Sequence, residues 1–140
     1  MQQDRKTRCG YAAERPMPYV LTLVGAQVSK KNKLRPRKGG LYYDPKTAGA
    51  IDSWLWQAKS AWRNTHGPLP PLNRFSYYIE IWNQAGDPDG IVTTTLDCLV
   101  KAGVITDDAA KHCIRWGGEA RTDDYGPRVK ITLESLENQL

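Results

Sequence analysis

The residues best suited to chemistry in this sequence are four aspartates: Asp87 and Asp89, two apart, and then the adjacent pair Asp107 and Asp108. Pro88 disfavours helix at Asp87, and Gly90 lets the backbone turn. Both carboxylates of the first pair can therefore be presented together at a strand-to-helix junction. The second pair follows a segment, Ile91 to Ala102, that reads as a helix ended by Gly103. A helix of about twelve residues is ~18 Å long, so Asp108 meets the first pair only if the chain folds back. The apolar Val104 and Ile105 could drive that return by packing on the helix.

If three carboxylates converge, their like charges repel unless a cation lies between them. Oxygen donors of this kind suit Mg²⁺, which keeps several waters and is completed by a substrate phosphate. Such an ion generates hydroxide and stabilises charge on a phosphodiester under attack. No Ser, Cys or His nucleophile is then needed, and the chain has only two histidines, His66 and His112. The same residues also read as ordinary structure, since Asp-Pro-Asp-Gly is a turn and cap sequence. The run does not fit an EF-hand pattern: with Asp87 first, Val92 and Cys98 fall where that loop needs Gly and Glu.

The elements that must position these residues follow from periodicity. Tyr19 to Gly25 reads as a buried strand, and Ser29 to Gly40 as a polar loop rich in Lys and Arg. Leu41 to Tyr43 is a short extended piece. Asp44 can cap, and Pro45 can open, a helix over Thr47 to Arg63. Its apolar face is Ala50, Trp54, Ala58, Ala61 and Trp62, with Trp56 off the stripe. Arg74 to Trp82 is a strand leading into Asp87. In the next helix Val92, Leu96, Leu99 and Val100 form the core stripe. Lys111 to Trp116 and Pro127 to Leu136 read as strands joined into a hairpin by Gly117 to Gly126, with Asp123 and Asp124 as turn residues. The expected fold is α+β: a small mixed sheet of about four strands with two main helices. Residues 1–16 read as a flexible extension and 17–140 as a single domain.

Apolar residues make up 40% and charged residues 25% of the chain, which is ordinary for a soluble domain. No apolar run approaches the ~20 residues of a membrane helix, and no signal peptide is visible. A cytoplasmic protein is expected. Cys9, Cys98 and Cys113 have no zinc spacing and read as reduced thiols. Charge is uneven: residues 1–46 hold 11 Lys/Arg against 3 Asp/Glu, and residues 47–140 hold 9 against 12. The basic front attracts polyanions. Lys30, Lys31, Lys33, Arg35, Arg37 and Lys38 are its densest cluster and the candidate DNA contact, through phosphates. Tyr42 and Tyr43 beside it are candidate stacking residues.

The run from Asp87 to Ala109, DPDGIVTTTLDCLVKAGVITDDA, resembles the signature of the RusA-like crossover-junction endodeoxyribonucleases. That signature is D-x-D, a helix with D-x-L and A-G, then D-D. Asp87 and Asp89 match the first pair, and Asp97, Leu99, Ala102 and Gly103 match the helix. Asp107 and Asp108 match the last pair, without a gap. A looser likeness extends from Tyr19 to Leu136. The resemblance implies a RusA-like fold and a homodimeric nuclease, of a kind common in phages and prophages. Such an enzyme nicks four-way (Holliday) DNA junctions symmetrically with Mg²⁺ or Mn²⁺. It also implies Asp87, Asp89 and Asp108 as catalytic metal ligands, with Asp107, Asp97 and Lys101 as possible supporting residues.

The sequence departs from the pattern at Gly90, where the family often has Asn, and at Thr93, where it often has a lysine. Asn83-Gln-Ala-Gly86 stands where an arginine-rich stretch sometimes precedes D-x-D. Lys101 or Lys111 would have to substitute for the lysine. Two alternatives therefore stay open: a junction-binding protein with weak or lost nuclease activity, and a basic DNA-binding protein without structure preference.

Overall fold

The computed structural model describes residues 18–26, 34–37, 40–43, 45–67 and 69–136. The elements run β1 Tyr19–Val24, β2 Leu34–Arg37, β3 Gly40–Tyr43, α1 Pro45–His66, β4 Phe75–Trp82, α2 Pro88–Lys101, β5 Cys113–Arg121 and β6 Arg128–Ser135. The fold is α+β, with two helices and a four-strand mixed sheet among the described residues. The sheet order is β1-β6-β4-β5, and β2 with β3 forms a separate two-stranded ribbon. β6 is antiparallel to both its neighbours, whereas β4 and β5 are parallel. α2 is thus the crossover of a strand–helix–strand unit.

Alternation decides which face of the sheet is covered. Phe75, Ile79 and Ile81 of β4 and Val129, Ile131 and Leu133 of β6 are buried. Leu21 and Leu23 of β1 join them, while Val20 and Val24 are 41% and 60% exposed. β1 is therefore buried on one face only. α1 contributes Trp54, Ala58 and Trp62, at four-residue steps, and all three are buried as their spacing predicts. α1 also shields the free edge of β1. The Gln57 side-chain carbonyl accepts from the Val24 N–H at 2.7 Å, and its amide donates to the Val24 carbonyl at 2.9 Å. The Trp54 indole N–H donates to the same carbonyl at 3.2 Å. Two side chains thus do for β1 what a neighbouring strand would do.

The opposite face of the sheet is polar. Glu80 lies 3.9 Å from Arg121 and 3.8 Å from Lys130. Both Arg121 and Arg128 place guanidinium groups over the Trp82 ring, at 4.8 and 4.6 Å.

Two expectations are corrected here. β5 and β6 do not form a hairpin: β6 inserts between β1 and β4, and β5 occupies the edge. The burial pattern gives the reason, because Val129, Ile131 and Leu133 are fully enclosed and need a neighbour on each side. β5 buries only Cys113 and tolerates an edge. β5 also runs on through Gly117 and Gly118, which had read as loop. A Cβ on Gly118 would lie 2.8 Å from the Ile79 carbonyl, so glycine here permits close strand approach rather than a turn. The second correction is that the basic stretch 29–40 contains a strand, β2, paired with β3.

α2 begins three residues earlier than its apolar periodicity indicates, because Pro88 fits the first helical position. Its end is as expected: Ala102 is the C-cap and Gly103 adopts φ +80°. Nothing lies within 4 Å of a Cβ built at Gly103. Gly103→Ala should therefore cost about 1–2 kcal/mol from left-handed backbone strain alone, read by urea unfolding. An unchanged midpoint would show that the turn relaxes into another conformation.

Candidate functional site

The turn between β4 and α2 displays the first aspartate pair. Asp87 is the N-cap of α2, with φ −63° and ψ 124°, and its carboxylate accepts from the Gly90 N–H at 3.3 Å. Asp89 lies in the first helical turn and is exposed. Both stand beyond the carboxyl end of β4, which pairs in parallel with β5. In sheets of parallel strands, ligands bind outside that end. Thr93 donates its hydroxyl to the Asp89 carbonyl at 3.0 Å.

The chain turns back after α2, the path that the sequence left open, but the turn does not carry Asp108 to the first pair. The Val104 N–H donates to the Leu99 carbonyl at 2.9 Å, and Val104 and Ile105 are buried. Leu72 holds the returning strand with an N–H to the Val104 carbonyl at 2.9 Å, and accepts from the Thr106 N–H at 3.0 Å. Asp107 and Asp108 follow, both exposed. The Asp108 N–H donates to the Asp107 carboxylate at 2.8 Å.

Desolvation by its neighbours raises the Asp108 carboxyl from its ordinary value. A hydrogen bond to Asp107 and the negative charges of Asp107 and Asp97 add to the effect. Tyr77 and Cys113 are also raised, chiefly by burial, and feel the Asp108 charge. Asp97 and Asp107 are thus electrostatic neighbours of Asp108, whereas Asp87 and Asp89 are not among the charges acting on it. Among the described residues no three His, Cys, Asp or Glu side chains stand together as a metal-holding group. The structure brings Asp87 and Asp89 to one turn and sets Asp108 against Asp107. It does not join the two sets. Lys101 is exposed at the far end of α2 from Asp89, and Lys111 is exposed in the turn before β5.

A raised folded-state pKa makes Asp108 stabilising when protonated, and that contribution is lost as pH rises through the folded value. Asp108→Asn is therefore expected to raise the melting temperature at pH 7 and to give a smaller gain near pH 4. Thermal unfolding at the two pH values checks this. A variant less stable than the parent at pH 7 would contradict a strained carboxylate cluster.

Beside Asp89 lies a groove of about 350 Å³ that sequence reasoning missed. Ile79, Ile81 and Val92 line it, with Tyr77, Trp116 and Glu119 also on its walls. The register places Trp116, Gly118 and Ala120 opposite Tyr77, Ile79 and Ile81, on the helix-facing side of the sheet. Trp116 is nevertheless 68% exposed, because α2 leaves β5 uncovered. The Trp-Gly-Gly run was the available signal, had it been read as strand.

A second feature missed from sequence is a latch under the same turn. Asn83, at φ +56°, hydrogen-bonds Asp123 in both directions, at 2.7 and 2.8 Å. Asp123 also pairs with Arg128 at 2.6 Å, which holds its carboxyl well below the usual range. Asp123 is more than a turn residue, since it ties the end of β4 to the start of β6.

Of the candidate DNA contacts, Arg35 and Arg37 lie on β2, and Lys30, Lys31, Lys33 and Lys38 lie outside the described residues, as do Asp44 and Cys9. Tyr42 and Tyr43 lie on β3. Neither Cys98 nor Cys113 forms a disulfide, and both are buried. No helix among the described residues is long and apolar enough to cross a membrane. No protein-family model matches the chain, and no curated protein matches it.

Proposed function

We propose that this chain is a metal-assisted endonuclease of branched DNA, RusA-like in fold and in its use of Asp87, Asp89 and Asp108. The observation that carries the reading is the β4–α2–β5 unit. The gap-free run from Asp87 to Asp108 folds there as turn, helix and return, with Asp87 and Asp89 beyond the carboxyl end of β4 beside an open groove.

The donor chemistry fits Mg²⁺, with Mn²⁺ as a substitute, since such ions are held through one or two carboxylates plus waters and phosphate. Asp87 and Asp89 would hold the ion. Asp108 is the third carboxylate of the set, and it is not gathered with them in this structure. Asp97 and Asp107 keep negative charge concentrated around Asp108, which favours a cation there. The bound ion would supply hydroxide and neutralise charge on the phosphodiester. The chain's own residues do the rest: Asp87 fixes the turn as N-cap, and the basic segment from Lys30 to Lys38 holds phosphates. Two symmetric nicks call for two sites related by a two-fold axis, hence a homodimer.

The test is a labelled four-way junction beside a linear duplex of the same sequence, in Mg²⁺. Paired symmetric nicks in the junction alone are expected. A second reading, a junction-binding protein without cleavage, is favoured by Thr93, whose hydroxyl is engaged with the backbone where a lysine would face the phosphate. It predicts junction binding with no nicks in Mg²⁺ or Mn²⁺. Equal binding of junction and duplex, without nicks, would sink both readings and leave a DNA-binding protein without structure preference.

A further inference from the structure

A larger cavity, of about 660 Å³, lies away from the aspartates, between the C-terminal half of α1 and the turn that ends α2. Its α1 wall carries Trp56, Lys59, Ser60, Arg63 and Asn64, at three- and four-residue steps along one helical face. Gly103 stands on the opposite wall. Among the described residues no Asp or Glu lines the cavity, and neither Lys59 nor Arg63 is ion-paired with another described residue. Trp56 is 69% exposed, on a helix whose other two tryptophans are buried.

We propose that this cavity binds a short segment of single-stranded nucleic acid, with a base stacked on Trp56 and flanking phosphates on Lys59 and Arg63. An exposed indole beside unpaired cations is the combination that single strands use: every base has a face to stack, and every nucleotide carries a phosphate. Lys59 and Arg63 stand about one helical turn apart, ~6 Å along the axis, so they can meet one backbone together. Ser60 and Asn64 lie between and beside them and can hydrogen-bond base or sugar. An intact duplex keeps its base faces stacked and offers only phosphates, so it cannot use Trp56. The site is independent of the carboxylates, because the length of α2, about 20 Å, separates Gly103 from Asp89.

The experiment is fluorescence anisotropy of a labelled oligothymidylate with the full chain in EDTA, which removes any cleavage from the measurement. A duplex of equal length serves as competitor, and thermal unfolding confirms that each variant is folded. Trp56→Ala should weaken oligothymidylate binding about tenfold, and Trp56→Phe should restore most of it. The pair Lys59→Gln and Arg63→Gln should reduce the slope of log affinity against log salt by about 1.4. The basic segment contributes equally to every variant and cancels. Unchanged affinity in Trp56→Ala, or an unchanged slope in the double variant, would overturn the proposal. So would a duplex whose affinity falls in Trp56→Ala as much as the single strand's does. A loss of self-association in Trp56→Ala, with oligothymidylate binding intact, would instead make this face a contact between copies and also overturn it. A parent that never cuts junctions, yet shows the expected losses, would sink the nuclease reading and leave this site standing.

Discussion

Trp54→Ala is expected to destabilise the chain by about 3–5 kcal/mol, the range for truncating a fully buried aromatic. Trp54 is 1% exposed and sits at the centre of the α1 stripe, against the sheet. Its removal leaves a cavity the size of an indole between α1 and β1. It also leaves the Val24 carbonyl with only Gln57 as a side-chain donor. Small domains are stable by about 5–15 kcal/mol in total, so the loss is a large share of the whole. Trp56→Ala, two residues away on the exposed face, should stay within about 0.5 kcal/mol of the parent. Urea unfolding of the two variants separates them. A Trp54 variant within about 1 kcal/mol of the parent would mean that α1 does not depend on the stripe assigned to it.

The contrast between these two tryptophans also shows what could be read in advance. Helical spacing places Trp54, Ala58 and Trp62 on one face and Trp56 off it, and that is how they lie. β4 and the C-terminal end of α2 were equally legible, because an aromatic and β-branched run and a glycine at a helix end are local signals, whereas the start of α2 at Pro88 lay ahead of its apolar stripe. The return of Val104 and Ile105 was one path among those the sequence left open, because two apolar residues beside an apolar stripe invite packing without fixing where the chain goes next.

Strand partners were not legible. Cys113 to Arg121 and Arg128 to Ser135 are joined by a short polar link, and nothing local says that they separate to pair with β4 on opposite sides. Only the total burial of Val129, Ile131 and Leu133 distinguishes a central strand from one arm of a hairpin, and burial is a property of the whole fold. Gly117 and Gly118 looked like a turn because a close backbone approach and a positive φ both call for glycine. The candidate site was legible as residue types and spacing. Its geometry was not: whether Asp108 joins Asp89 depends on where α2 ends relative to where it begins. The structure sets Asp108 against Asp107 and does not gather it with Asp87 and Asp89.

The central claim is that Asp89 holds a metal for cutting branched DNA, and one substitution tests it most directly. Asp89→Asn keeps the shape of an exposed side chain and removes one negative charge from the first turn of α2, at a cost of about 0.3–1 kcal/mol from the helix dipole. The fold should survive, and circular dichroism confirms it. Loss of groups that merely support a metal ligand costs about 10–100-fold, so loss of a ligand should cost at least a hundredfold. The measurement is nicking of a labelled four-way junction in Mg²⁺, parent beside Asp89→Asn, each at a concentration that saturates the junction. The account predicts paired symmetric nicks from the parent, and from the variant full junction binding with cleavage at least a hundredfold slower. A variant that binds the junction and cuts at the parent's rate would contradict it.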